Sequence, residues 1–150
     1  MFNLRIRKVM QGERMLVTPS ATTVRQAAQL MAEGGIGALL VVDDEHLVGI
    51  FTERDAVFRV IARGLDASTT RLAEVMTASP LTISPEFSFG QALQLMHRHR
   101  IRHLPVVEDG KPVGIVSGRD ALDPEMEEFV VEAQRRESFE ASATTPRGRP

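Results

Sequence analysis

The feature that most constrains this chain is an internal repeat. Residues Ala21–Ala56 align without a gap with Glu86–Ala121 at an offset of 65, and 16 of the 36 paired positions are identical. The match continues upstream at an offset of 66, where Val9-Met10 corresponds to Val75-Met76. A repeat of this length is one small folding unit that buries its apolar surface only by packing on a neighbour. We therefore expect the two copies to fold against each other.

Each copy contains the same order of elements. A β-prone lead-in and a proline precede a helix whose apolar residues follow i, i+3, i+4, i+7 spacing, first at Val24, Ala27, Ala28 and Met31 and then at Phe89, Ala92, Leu93 and Met96. Two aliphatic runs separated by polar turn residues follow, which indicates a β-hairpin. The sequence predicts an α+β fold in which two tandem β-α-β-β-α repeats pack with pseudo-two-fold symmetry into one globule.

The repeat also divides the chain. We expect a first repeat over residues 5–64, a linker over 65–70, a second repeat over 71–122, a C-terminal helix over 123–140 and a flexible tail over 141–150. Residues 55–62 read as a helix, and its apolar residues are expected to be available for packing: Ala56, Val57 or Phe58, Val60 and Ile61.

Composition narrows the class of protein. The chain has no cysteine, which excludes disulfides, a thiolate metal site and a cysteine nucleophile. Its formal net charge of -2 gives no general attraction to nucleic acid or to an anionic membrane. The N-terminus lacks the apolar run of a signal peptide, and no apolar run is long enough to span a bilayer. We expect a cytoplasmic globular protein with neither a membrane nor nucleic acid as a partner.

The repeats resemble CBS domains, the module named after cystathionine β-synthase. The resemblance is carried by Val-Met ahead of each copy, by Ala-x-x-Leu-Met on the helix, and by the final motif Gly-apolar-apolar-(Thr/Ser)-x-x-Asp. It covers about residues 5–122. It implies a regulatory module, not an enzyme, that binds an adenosine-containing ligand such as AMP, ADP, ATP or S-adenosylmethionine between its repeats. It also implies a homodimer that signals to a separate, unidentified effector protein, with no cofactor. The alternative is a ligand-independent dimerisation or interaction scaffold.

Two short motifs are the sharpest functional signals, Thr52-Glu-Arg-Asp55 and Ser117-Gly-Arg-Asp120. A hydroxyl at a helix start lies beside unpaired N–H groups where phosphate docks, and an aspartate one turn later can accept hydrogen bonds from a ribose cis-diol. The resemblance implies that these hydroxyl and carboxylate side chains contact ribose and phosphate. The alternative is a capping box, in which each motif only caps its helix.

A basic stretch distinguishes the second copy from the first. Residues 97–103 read His-Arg-His-Arg-Ile-Arg-His, whereas the matching residues 32–38 read Ala-Glu-Gly-Gly-Ile-Gly-Ala. Arg102 and His103 precede a strand, where the resemblance implies a phosphate contact, and their counterparts Gly37 and Ala38 have no side chain that can pair with phosphate. We therefore expect two unequal clefts, with the stronger phosphate site at Arg102, His103, Ser117 and Asp120.

Other basic residues remain open between two interpretations. Three basic residues of the stretch, His97, Arg98 and Arg100, are equally well explained as a solvated helix end. Arg54 and Arg119, inside the two motifs, are placed either at a phosphate or at a surface or dimer interface. We expect the adenine to lie against aliphatic residues and backbone of Val17, Thr18, Ile36, Ile83 and Ile101.

Other functions have less support in the sequence. A metal site at His97, His99 and His103 lacks nearby carboxylates. The basic stretch has no interleaved aromatic residues for stacking on nucleic acid. No nucleophile and base, and no spaced pair of carboxylates, indicate catalysis.

Overall fold

The computed structural model describes residues 2–10 and 15–121 of the chain. The expected C-terminal helix and tail over 123–150 lie outside the described residues. The helices are α1 (Ile6–Val9), α2 (Val24–Gly34), α3 (Glu53–Asp55), α4 (Leu72–Val75) and α5 (Phe89–His99), and a π-helix (Ala56–Ile61) continues α3. The strands are β1 (Val17–Thr18), β2 (Ala38–Asp43), β3 (His46–Thr52), β4 (Thr77–Ala78), β5 (His103–Glu108) and β6 (Lys111–Ser117).

The long helix of each copy begins and ends in the same way. Thr23 caps α2 and Ser88 caps α5, each through a capping box with a glutamine three residues later. Both helices end at a residue in the left-handed conformation, Gly35 with φ 63° and Arg100 with φ 54°. The two predicted helices are confirmed.

The hairpins of the two copies share one register. Ala38 pairs with Thr52 in the first hairpin, and His103 pairs with Ser117 in the second. Both hairpins contain a bulge at the same place, between Val41 and Val42 and between positions 106 and 107. The lead-in of the first copy forms β1, parallel to β2, whereas the lead-in of the second copy is reduced to one parallel bridge from Ile83 to Val106.

Strand β2 is buried on both faces, which places it at the centre of the first copy. One face, with Leu39 and Val41, packs in a core with Phe51, Val60 and the apolar side of α2. The opposite face, with Ala38 and Leu40, packs in a second core with Ile50 of β3 and Ile115 of β6. Because Ile115 belongs to the second copy, this second core joins the two hairpins, as the repeat predicts.

Helices α1 and α4, which we call the lead-in helices, are exchanged between the copies. Each one packs on the copy that it does not precede in the sequence. Helix α4 precedes the second repeat in the sequence, yet Leu72 and Val75 lie in the core of the first copy. The following strand, β4, pairs with β3. Reciprocally, the backbone N–H of Ile6 in α1 donates to Phe87 O at 2.9 Å, and that of Phe89 donates to Leu4 O at 2.8 Å. Each copy therefore supplies a short helix that packs on the other copy.

A methionine and a glycine form the contact at each exchanged segment. A Cβ added to Gly49 of β3 would lie 2.4 Å from the Met76 sulfur, and one added to Gly114 of β6 would lie 2.6 Å from the Met10 sulfur. Only glycine allows the strand and the methionine to approach this closely. The repeated Met and Gly residues are thus explained by one packing contact that occurs twice.

Ion pairs hold the N-terminal segment on the second copy. The Arg7 guanidinium donates to Glu86 through Nη2 at 2.9 Å and also pairs with Glu108, and Arg5 pairs with Glu86. The hydrogen bond from Arg7 lowers the pKa of Glu86. Its charged form is therefore favoured in the folded protein, and this contribution to stability is lost as the pH falls through the lowered pKa.

The helix expected over residues 55–62 forms, but its geometry and packing differ from the prediction. Residues Ala56–Ile61 are π-helical, and the N–H of Ala62 donates to Val57 O at 2.9 Å. Val60 is buried and Ala56 is half-buried, as expected. Val57, Phe58 and Ile61 are exposed by 50%, 60% and 71%, so they do not pack on the core of the first copy. The wider turn changes the spacing of side chains, so that Val60 lies in the core and Ala56 packs against it.

Among the described residues, a first compact unit ends at Ser117 and a second begins at Gly118. The first unit contains all the strands and helices named above. In the second unit only residues 118–121 are described, and they form one 3-10 turn, Gly118–Ala121. The boundaries at 5–64, 65–70 and 71–122 stay predictions.

The exchange of lead-in helices can be tested with a pair of leucine substitutions. Leu72→Ala should lower the free energy of unfolding by about 2–5 kcal/mol, because it empties a fully buried site in the core of the first copy. Leu81→Ala is the control, since Leu81 is 40% exposed and should cost well under about 1 kcal/mol. Urea unfolding followed by circular dichroism measures both, and equal effects would contradict the exchange.

Candidate functional site

A cluster of positively charged side chains surrounds an open cleft of about 640 Å³. Arg54 of α3 comes from the first copy. The remaining lining residues come from the end of α5 and the loop that follows it: Met96, His97, Arg98, Arg100, Ile101 and Arg102. We call this site the arginine cleft. Within the described part of the chain, its lining contains four arginines, one histidine and no carboxylate, so it suits an anionic ligand.

The arginines of the cleft are not neutralised by their neighbours. Within residues 2–10 and 15–121, no acidic side chain forms an ion pair with Arg98, Arg100 or Arg102. Arg54 lies over the ring of Phe58, with its guanidinium carbon 5.2 Å from the ring centroid. This cation–π contact orients Arg54 without removing its charge.

The backbone at Arg100 is held in a conformation that normally selects glycine. Its φ of 54° is left-handed, as is the φ of 63° at Gly35, the matching residue of the first copy. A side chain in this conformation costs on the order of 1 kcal/mol relative to glycine. The second copy therefore carries a charged side chain at a position where the fold favours none.

The first motif forms the capping box that was its alternative interpretation. The backbone N–H of Thr52 donates to Asp55 Oδ2 at 3.0 Å, and the N–H of Asp55 donates to Thr52 Oγ1 at 3.3 Å. Asp55 is 8% exposed, and its other carboxylate oxygen lies 3.5 Å from Arg59 Nε. The cap accounts for both residues structurally, and their contact with a ligand stays a prediction.

In the first copy an acidic side chain, Glu53, lies beside Gly37, the residue that matches Arg102. A Cβ on Gly37 would lie 3.1 Å from a carboxylate oxygen of Glu53, whose backbone N–H also donates to Gly37 O. In the second copy these two positions are Arg102 and Gly118. The copies therefore have opposite charge at this place, and the charge of the second copy favours phosphate.

The remaining polar residues that the sequence predicts for the site lie on the second hairpin and on the 3-10 turn that follows it. His103 and Ser117 are cross-strand partners on β5 and β6, as Ala38 and Thr52 are on β2 and β3. Arg119 and Asp120 lie on the 3-10 turn of the second unit, and Arg119 is exposed. Their contact with a ligand also stays a prediction.

The residues predicted to contact adenine do not share one surface. Ile101 lines the arginine cleft, and Ile36 is half-buried against the core of the first copy. Ile83 is buried at its bridge to β5, while Val17 is half exposed. Thr18 lines a different groove of about 390 Å³, which we call the α2 groove, with Thr22, Gln26, Gln29, Leu30 and Glu33.

Sequence reasoning left four cleft residues undecided, Arg54, His97, Arg98 and Arg100. The comparison of the two copies is the sequence signal that indicates a role in ligand binding, because Arg98 replaces Glu33 and Arg100 replaces Gly35. The helical spacing of α5 alone is equally typical of a solvated helix end. The approach of Arg54 from the other copy cannot be read from local sequence.

A comparison with protein-family models identifies the family. The model described as CBS domain matches residues 6–62 and 72–125. The CBS domain-containing protein YhcV of Bacillus subtilis is 37% identical over 112 residues, which cover 75% of this chain and 79% of that protein. The chain belongs to the CBS domain family, and its two repeats are a CBS pair, a regulatory module.

Solved structures share the fold. A protein described as a signal-transduction protein with CBS domains, from Burkholderia ambifaria, has a TM-score of 0.75 at 35% identity and covers 83% of this chain and 95% of its own. A hexameric CBS-CP12 protein from cyanobacteria has a TM-score of 0.74 at 28% identity, covering 93% and 87%. A CBS domain protein from Pyrobaculum aerophilum complexed with AMP has a TM-score of 0.74, covering 86% and 99%, and at 24% identity it shows the fold alone.

Several relatives are longer than this chain, and one of them is described as mitochondrial. The chain spans only 13%, 59% and 20% of the length of three curated relatives that it matches. One of them is a mitochondrial protein of Arabidopsis thaliana, 35% identical. Among residues 2–10 and 15–121, no helix combines the length and apolarity needed to cross a membrane. In the same part of the chain, no three His, Cys, Asp or Glu side chains group as metal ligands.

The capping box can be tested without a ligand. Thr52→Ala should lower the free energy of unfolding by about 0.5–2 kcal/mol, because the N–H of Asp55 loses its acceptor. Thr52→Ser keeps the hydroxyl and is the matched control. Thermal unfolding of the ligand-free protein measures both, and an alanine variant as stable as the serine variant would show that the cap contributes nothing.

Proposed function

We propose that this CBS pair is a sensor that binds an adenosine-containing ligand between its copies and signals to a separate effector protein. The observation that carries the proposal is the arginine cleft, where a CBS pair presents Arg54 of one copy and Arg98, Arg100 and Arg102 of the other to one anion site. A ligand that contacts both copies favours the arrangement in which they bind it best, and so can shift the shape of the module.

The proposed contacts follow the motifs. Thr52 and Asp55 hold ribose and phosphate, and the repeat assigns the same role to Ser117 and Asp120. Arg102 and His103 neutralise phosphate, with Arg119 as a further cation. Among the apolar candidates, Ile101 is favoured for adenine because it lines the cleft. The remaining candidates, Val17, Thr18, Ile36 and Ile83, carry less support because they do not line it.

A related fold supports the class of ligand. The Pyrobaculum aerophilum protein shares the CBS-pair fold and is described as complexed with AMP. The positive lining of the cleft in this chain suits the phosphate of such a ligand. Because the net charge of the whole chain is -2, attraction of an anion to this place comes from the local cluster and not from the overall charge. We propose that the module acts in the cytoplasm.

Calorimetric titration tests the ligand directly. AMP, ADP, ATP and S-adenosylmethionine are titrated into the full chain, and at least one should bind with a dissociation constant in the micromolar range. Asp120→Asn should weaken that binding by about tenfold, because it removes the charge that accepts the ribose hydroxyls. Asp109→Asn, in the turn between β5 and β6, is the matched control.

The outcomes separate the sensor from the scaffold. Binding by the wild type that Asp120→Asn weakens and Asp109→Asn leaves intact supports the sensor. No heat change and no shift in thermal stability with any of the four compounds would overturn it.

A second candidate, a dimerisation scaffold, is favoured by one observation. Val57, Phe58, Ile61 and Leu65 form a run of exposed apolar side chains on and just after the π-helix. Large apolar side chains grouped on a surface are typical of an interface. The hexameric CBS-CP12 protein shows that a CBS protein of this fold can self-associate. We propose that a second copy of the chain covers this surface.

Light scattering coupled to size-exclusion chromatography tests the interface. The wild type should elute as a dimer, and Ile61→Glu should shift it to a monomer, because a charge replaces an apolar side chain buried between copies. Leu81→Glu, at another exposed leucine, is the control and should remain dimeric. A monomeric wild type, or an Ile61→Glu variant that is still dimeric, would contradict the proposal.

A further inference from the structure

The arginine cleft has more positive charge than a single phosphate needs. Arg98 follows the apolar residue Leu95 at helical spacing on α5, Arg100 ends the helix, and Arg102 stands one residue before β5. Their side chains reach one cleft together with Arg54 of the other copy. A monophosphate has three terminal oxygens and is satisfied by one or two bidentate arginines. The cleft therefore has donors left over for a second and third phosphate.

The volume of the cleft agrees with a larger anion. At about 640 Å³ it lies within the range of small-molecule sites, which is about 300–1,000 Å³. Its lining is dominated by guanidinium groups, and only Met96 and Ile101 provide apolar surface. An uncharged base would gain little from most of this lining, whereas a chain of phosphates would contact arginines along its length.

The backbone conformation of Arg100 indicates that its positively charged side chain has a function in the cleft. The first copy has glycine at the matching position, with nearly the same φ. The fold would be more stable with glycine here, since a side chain in the left-handed conformation is strained. Strain of this kind is retained where the side chain has a function, and Arg100 lines the cleft.

The first copy has no arginines at the matching positions. The fold itself therefore does not require positive charge there. At the positions matching Arg98, Arg100 and Arg102, it has Glu33, Gly35 and Gly37. The Glu33 side chain lines the α2 groove, and the Glu53 carboxylate lies against Gly37. The three arginines therefore belong to the second copy alone.

We infer that the arginine cleft selects ligands with a chain of two or more phosphates, and that Arg98 and Arg100 determine this preference. The inference rests on the proposed function for the adenosine part of the ligand, but the phosphate chain is recognised independently of it. ATP and ADP are preferred over AMP, and S-adenosylmethionine, which is cationic, is rejected. A free inorganic polyphosphate shares the chemistry and binds at the same arginines.

The preference is measured by titrating AMP, ADP, ATP, S-adenosylmethionine and inorganic tripolyphosphate into the full chain. The buffer contains EDTA, because Mg²⁺ would neutralise the phosphate chain. ATP should bind at least about tenfold more tightly than AMP, since the additional phosphates make charge-assisted hydrogen bonds. Raising the salt from about 0.05 to 0.5 M should weaken ATP more than AMP.

Two variants test the named residues. Arg98→Ala should weaken ATP by about fivefold or more and leave AMP within about twofold. Arg25→Ala, at an exposed arginine on α2, is the matched control and should change neither. Arg100→Gly should weaken ATP similarly while raising the melting temperature by about 2–4 °C, because it relieves the left-handed strain. An ATP affinity unchanged in both Arg98→Ala and Arg100→Gly would overturn the inference.

The ligand panel distinguishes failure of the inference from failure of the proposed function. AMP or S-adenosylmethionine binding as tightly as ATP overturns the polyphosphate preference and leaves the adenosine sensor standing. Tripolyphosphate binding without any nucleotide supports the preference and overturns the adenosine sensor. If nothing in the panel binds, both are overturned.

Discussion

The close contact between a methionine sulfur and a strand glycine, made once in each copy, is the interaction on which the rest of the structure depends. Met76 reaches Gly49 of the first copy, and Met10 reaches Gly114 of the second. Each methionine belongs to the segment that precedes the other copy in the sequence. These contacts cross the boundary between the repeats, so the core of either copy is incomplete without a segment from the other. The two CBS repeats consequently behave as one folding unit.

This shared core frees the surface residues of the two copies to differ. Several buried positions, such as Leu39 and Leu104 or Val41 and Val106, are identical because they occupy the same place in the same packing. The loop between the long helix and the hairpin has no such constraint. There the first copy keeps glycines and an acidic side chain, and the second has arginines. One fold, used twice, thus gives one neutral or acidic site and one cationic site.

Much of this fold could be predicted from the sequence because its signals are local and repeated. The capping residues Thr23 and Ser88, the helical spacing of α2 and α5, and the hairpin registers follow from short-range rules. The exchange of lead-in helices could not be predicted, because a short segment such as α4 does not specify which copy it packs on. The π-helix after Asp55 also escaped prediction, since Val57, Phe58 and Ile61 fit an ordinary buried helix face equally well.

The candidate site was predicted in part. The contrast of Arg102 with Gly37 identified the cationic copy correctly, because a change of charge at matched positions is visible in sequence alone. The contribution of Arg54 depends on how the two copies approach each other, and the importance of Arg100 depends on its backbone conformation. Neither property is local to the sequence. The hydroxyl and carboxylate of the first motif proved to be a helix cap, which is compatible with ligand binding and does not require it.

Hydrogen exchange measured by mass spectrometry, with and without ATP, tests the central claim most directly, namely that a phosphate ligand binds between the two copies at the arginine cleft. ATP should slow exchange together in residues 96–106 of the second copy and residues 50–55 of the first, because one ligand contacts both. Helix α2, which lines the separate groove, should exchange at an unchanged rate. Protection confined to α2, or confined to one copy, would contradict the account.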